Sequence, residues 1–95
     1  MDKFHQGETV PCKVECYYKG TLTNPDTSVT LTIKDALNGA ELTDQAMSPE
    51  STGVYRYDYD LGETATPGKW RRFYTITHGG DIFKAKDEFE VEQWV

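Results

Sequence analysis

Between Gly53 and Leu61 the chain reads GVYRYDYDL, with a bulky side chain at every second position. Tyr55, Tyr57, Tyr59 and Leu61 share one parity, and Arg56, Asp58 and Asp60 take the other. A repeat of two sorts side chains onto opposite faces of a pleated strand and is incompatible with a helix, whose repeat is 3.6. The same rhythm returns in SVTLTIKD, where Val29, Leu31 and Ile33 alternate with Thr30, Thr32 and Lys34. In VPCKVECYY the inward row is Val10, Cys12, Val14, Cys16 and Tyr18, against Thr9, Lys13 and Glu15. Pro11 lacks an N–H, which points to a sheet edge or a strand start.

In IFKAKDEFEVEQWV the rows are Phe83, Ala85, Phe89 and Val91 against Lys84, Lys86, Glu88, Glu90 and Glu92. Asp87 falls on the apolar row, a conflict that a β-bulge there would resolve. Connections are marked by KGTLTNPDTS with its Asn24-Pro25-Asp26 turn, by Asn38-Gly39, by GETATPGKW and by HGGD. Ala40, Leu42 and Met47 fit a short middle strand, and Thr43 to Thr52 has room for a brief helical turn. The expectation is an all-β chain, an antiparallel sandwich of about six to seven short strands. Residues 1–95 form one domain, with 1–6 and 93–95 as extended tails.

The tyrosine row has two readings, a ligand platform or the lining of a core. Leu61 continues the row, which favours the core, with phenol groups reaching the rim for hydrogen bonds.

A net charge of −6 over 95 residues argues against nucleic acid as a partner, because such binding rests on neutralising phosphates. No apolar run approaches the length of a membrane span. The opening MDKFHQGETV has no apolar stretch behind its first charges, so no export signal is expected. Cys12 and Cys16 are four residues apart, about 13 Å along a strand at about 3.3 Å per residue. A disulfide needs Cα atoms within about 7 Å, so two free thiols packed in the core are expected.

No catalytic group, cofactor or metal site is expected. His5 and His78 stand near the terminus and in the His-Gly-Gly turn, away from Cys12 and Cys16, so no nucleophile has a base beside it. HGGD is a hairpin turn and not a phosphate cradle. Asp26, Asp58, Asp60 and Asp81 are the carboxylates a calcium ion would use, but nothing supplies the rest of its oxygen shell.

Three pieces in this order, GETVPCKVEC, NPDTSVTLTIKD and TGVYRYDYDL followed by TPGKWRRFYTITHGG, carry a likeness. Together they resemble the immunoglobulin-like modules of tailed-phage virion proteins and of bacterial and archaeal surface proteins, over about Gly7 to Val91. The resemblance implies that the Trp after Pro-Gly is a core residue, so Trp70, Tyr74 and Ile76 point inward. It also puts Arg72 where an apolar residue is usual, so either the strand end splays or Arg72 pairs with a carboxylate such as Asp58 or Asp87. The same parity turns Phe73 outward beside Arg71, which makes these two residues, with Arg72, the leading interface candidates. Lys69, Lys84 and Lys86 add to a basic set that could dock an acidic neighbour, although cross-strand ion pairs explain it equally well. Trp94 either closes the bottom of the core, the favoured reading, or fills a partner's pocket.

A single acidic domain with free thiols most resembles the virion components. The resemblance therefore implies a non-enzymatic structural module of head decoration, neck or head–tail joining. It would be assembled in the host cytoplasm, with capsid, neck or tail subunits as partners, as a homo-oligomer or bound to a lattice. The alternative is an adhesion or carbohydrate-binding module cut from a cell-surface protein.

Overall fold

A computed structural model describes residues 2–95. Ten strands account for all regular structure among them, and no helix is present. They are β1 (Asp2–His5), β2 (Thr9–Glu15), β3 (Tyr17–Tyr18), β4 (Thr21–Leu22), β5 (Ser28–Lys34), β6 (Ala40–Ala46), β7 (Ser48–Ser51), β8 (Val54–Asp60), β9 (Gly68–His78) and β10 (Asp81–Glu92). A five-stranded sheet has the order β1-β10-β9-β5-β6, and a three-stranded sheet the order β2-β8-β7. All pairings are antiparallel except that of β1 with β10, which is parallel.

Both sheets feed one core in a sandwich-like arrangement. Val10 and Cys12 come from the smaller sheet; Val29, Leu31, Ile33, Trp70, Tyr74, Phe89 and Val91 come from the larger. Tyr55, Tyr57 and Tyr59 are partly buried against this cluster, and the Tyr59 and Trp70 rings lie 6.4 Å apart across the interlayer. The tyrosine row is therefore lining. Trp70 is pinned by its Nε1–H, which donates to the Thr66 carbonyl at 2.7 Å. Both cysteines are free and buried.

The strands are more numerous and less uniform than the rhythm suggests. Tyr18 does not continue the inward row: the chain leaves β2 after Glu15 and folds Tyr17 to Leu22 into a small hairpin, so Tyr18 is exposed. Its two-residue turn, Lys19-Gly20, has φ of 53° and 81°, the primed geometry that suits right-twisted strands. Gly53 packs below this hairpin, its N–H donating to Asn24 Oδ1 at 2.7 Å and its φ at +73°. No helical turn forms between Thr43 and Thr52, where β6 and β7 run instead.

No bulge occurs at Asp87: the β9–β10 register is unbroken from Asp81 opposite His78 to Val91 opposite Gly68. Arg72 lies directly across from Asp87 and satisfies it. These two strands, of 11 and 12 residues, form the longest hairpin and stretch the molecule to 45 × 23 × 20 Å. Residues 81–88 of β10 are exposed on both faces. Phe83 and Ala85 are thus not core, because no strand of the smaller sheet covers them. At the start of the chain, residues 2–5 are tied into the sheet as β1.

Candidate interaction surface

The outward face of the larger sheet gathers the basic side chains. The register sets Phe73 opposite Lys86 and Thr32, and Arg71 opposite Lys34 and Glu88. Lys34, Lys69, Arg71, Lys84 and Lys86 all share this face, half of the ten basic residues. None of the five makes a salt bridge among the described residues. Lys3, Lys13, Arg56 and Arg72, by contrast, all have carboxylate partners. Phe73 sits at the centre, with Lys34 Nζ 5.7 Å from its ring centroid. Arg71 is held by Asn38 Oδ1 at 2.8 Å. The result is a half-buried aromatic ringed by unpaired cations on an acidic protein.

Arg72 is not part of that face. Its side chain is 7% exposed and points into the core, donating to both Asp87 carboxylate oxygens at 2.7 and 3.0 Å and to the Pro11 carbonyl at 3.2 Å. It therefore joins the two sheets and offers nothing to a partner. Burial pushes the Cys12 thiol up, with the neighbouring Arg72 guanidinium opposing the shift. Burial also raises the Tyr74 phenol, whose Oη has no hydrogen-bond partner.

Trp94 does not close the core either. It is 66% exposed, stacked edge-on against His5 at 5.2 Å and tied by its N–H to Gln6 Oε1 at 3.2 Å. The last three residues have no strand to follow inward, so the ring stays outside.

A second apolar feature lies at the far end of the long hairpin. Cys16, Tyr17, Tyr18, Pro25, Ile76 and Phe83 line a cavity of about 220 Å³. Tyr17 is 60% and Phe83 43% exposed. His78 closes the rim, its ring 4.7 Å from that of Tyr18. The Asp26 N–H donates to His78 Nδ1 at 3.1 Å, which leaves the neutral ring's proton on Nε2. The alternation of VPCKVECYY runs on through Tyr18 and so hides this cleft, because Tyr17 and Tyr18 belong to β3 and not to the end of β2. The Lys19-Gly20 pair between short apolar runs is the signal that reveals it.

The carboxylates considered for calcium do not converge. Asp58 pairs with Arg56, Asp60 accepts from Thr9 Oγ1, and Asp26 accepts from the Gly79 N–H. No group of three or more His, Cys, Asp or Glu side chains that could hold a metal ion occurs among the described residues. Among the described residues, no helix is long and apolar enough to cross a membrane. No family model, curated protein or solved structure matches the chain.

Proposed function

We propose that the chain is a non-enzymatic interaction module of immunoglobulin-like topology that works inside a protein assembly, a tailed-phage virion being the favoured setting. The strand order supports the topology. With β2 taken as strand B, the sheets read GFCC′ and BED, and β1 pairs alongside strand G. The disulfide between strands B and F of antibody domains has no counterpart; instead the Arg72 guanidinium, held by Asp87 within its own sheet, reaches the other layer at the Pro11 carbonyl.

The observation that carries the functional reading is the Phe73 face. Unpaired cations around an aromatic suit an acidic partner, which they would steer and orient. A sugar platform on the tyrosine row receives no support, because those rings are committed to the core. The reading is tested by fractionating particles from the native source. The protein is expected to co-sediment with a multi-subunit assembly and to be lost from it on Phe73→Ser. Sedimentation as a free monomer throughout overturns the reading.

A further inference from the structure

Along the edge of β10 the outward row changes from Lys84 and Lys86 to Glu88, Glu90 and Glu92. The half from Phe89 to Glu92 is already occupied by β1, in parallel register. There the outward Lys3 of β1 meets Glu90 and Glu92 at 3.9 and 3.5 Å, while the inward Phe4 packs edge-on against Phe89 at 5.7 Å. Among the described residues, none forms a strand beside the half from Ile82 to Glu88. Its outward side chains are Ile82, Lys84, Lys86 and Glu88, of which the two lysines form no salt bridge, and its inward ones are Phe83, Ala85 and Asp87.

Inside this edge lies a groove of about 440 Å³ between the two sheets. Val14 and Tyr17 line it from one side, Tyr74 and Ala85 from the other, and the charged Lys13, Glu15, Lys86 and Asp87 complete its lining. Tyr74, 3% exposed, lines this groove. A long unpaired edge strand and a groove behind it are two vacancies at one place.

We propose that Ile82–Glu88 is the docking edge for an extended segment of a partner protein, running in line with β1. Its outward residues are acidic, to meet Lys84 and Lys86. Its inward residues are apolar, to cover Phe83 and Ala85 and fill the groove. A second copy of this chain using the same edge is disfavoured. In the one antiparallel register that pairs all of Ile82–Glu88 with itself, about Ala85, Lys84 meets the other copy's Lys86 twice, and like charges directly opposite are destabilising. Strand addition of this type draws affinity from main-chain hydrogen bonds and specificity from alternate side chains.

This inference rests on the interaction-module reading but is tested apart from it, at the edge alone. The full chain is given a six-residue N-terminal extension of alternating Glu and Val, or of alternating Lys and Val. Each is placed on the native background and on K84E/K86E, and amide exchange is followed by NMR. On the native background the Glu–Val extension is expected to slow the edge-facing amides of Ile82–Glu88 by about tenfold or more. The Lys–Val extension is expected to protect them less, by about threefold or more. On K84E/K86E the order reverses. Unchanged protection at Leu31 and Phe89 shows that the fold is intact. Absence of protection, or equal protection by both extensions on both backgrounds, overturns the proposal.

Discussion

Arg72 and Asp87 face each other across β9 and β10 and join through two hydrogen bonds, at 2.7 and 3.0 Å. The guanidinium also lies over the Phe89 ring at 5.1 Å and reaches the other sheet at the Pro11 carbonyl. A single ion pair thus stands where two apolar side chains would otherwise meet.

Removing one partner strands the other. Asp87→Ala leaves a guanidinium that is 7% exposed with only the Pro11 carbonyl, and is expected to cost about 2 kcal/mol. The figure stays below that of a fully enclosed pair because Asp87 itself is half open to water. The double change Arg72→Met with Asp87→Ala is expected to cost less than the sum of the two single changes. Urea denaturation of the three variants measures both quantities.

Tyr74→Phe removes a buried hydroxyl that bonds to nothing. It is expected to leave stability unchanged or raise it by up to about 1 kcal/mol, whereas Tyr74→Ala costs about 3 kcal/mol by opening a cavity. Thermal unfolding followed by near-ultraviolet circular dichroism separates the two.

Two turns depend on ionised aspartates. Asp26 accepts from the Gly79 N–H and from Thr27 Oγ1, and Asp35 from the Leu37 and Gly39 N–H groups. These bonds hold both carboxyls below the usual carboxylate range. A depressed folded value means that the stabilisation is complete above the unfolded value of about 3.9 and fades as pH falls through the folded one. Acid unfolding is therefore expected to steepen below about pH 4, and Asp35→Asn to flatten that limb.

Glu41 behaves in the opposite sense. The neighbouring Asp35 carboxylate, with a smaller contribution from burial, raises it, so its ionised form is disfavoured in the fold at neutral pH. Glu41→Gln is expected to stabilise the protein at pH 7, with the gain disappearing below about pH 4, where Glu41 is protonated in both states. Melting temperatures of the wild-type and Glu41→Gln proteins across that range provide the check.

Gly53→Ala is expected to cost about 2 kcal/mol or more. Its φ of +73° is unfavourable for an L side chain, and a Cβ there would come within 2.8 Å of the Thr23 nitrogen and 3.0 Å of Leu22 Cβ. The β3–β4 hairpin would be displaced first, which tyrosine fluorescence from Tyr17 and Tyr18 reports.

Much of the fold is legible in the sequence where a strand is covered on one face by another sheet. Val29, Leu31 and Ile33 are buried as their parity demands, and so are Trp70, Tyr74, Phe89 and Val91. Parity fails where the cover stops. Phe83 and Ala85 keep the rhythm of β10 but extend past the smaller sheet, so period alone cannot say that they are exposed. Asp87 breaks the rhythm, yet needs no bulge, because its partner sits 15 residues away in sequence and directly opposite in register. Of the candidate contact residues, Arg71 and Phe73 lie on the outer face, Arg72 turns into the core, and Trp94 stays outside. Both the unpaired edge and the Tyr17–Phe83 cleft depend on which strands become neighbours, information that no single strand's pattern contains.

Amide hydrogen exchange on the protein alone and inside the assembly purified from its native source tests the account most directly. Protection gained at Ile82–Glu88, together with shielding of the Phe73 face, is the predicted result. Unchanged exchange along β10, with protection appearing instead at the β6 and β7 edges or nowhere, would contradict it.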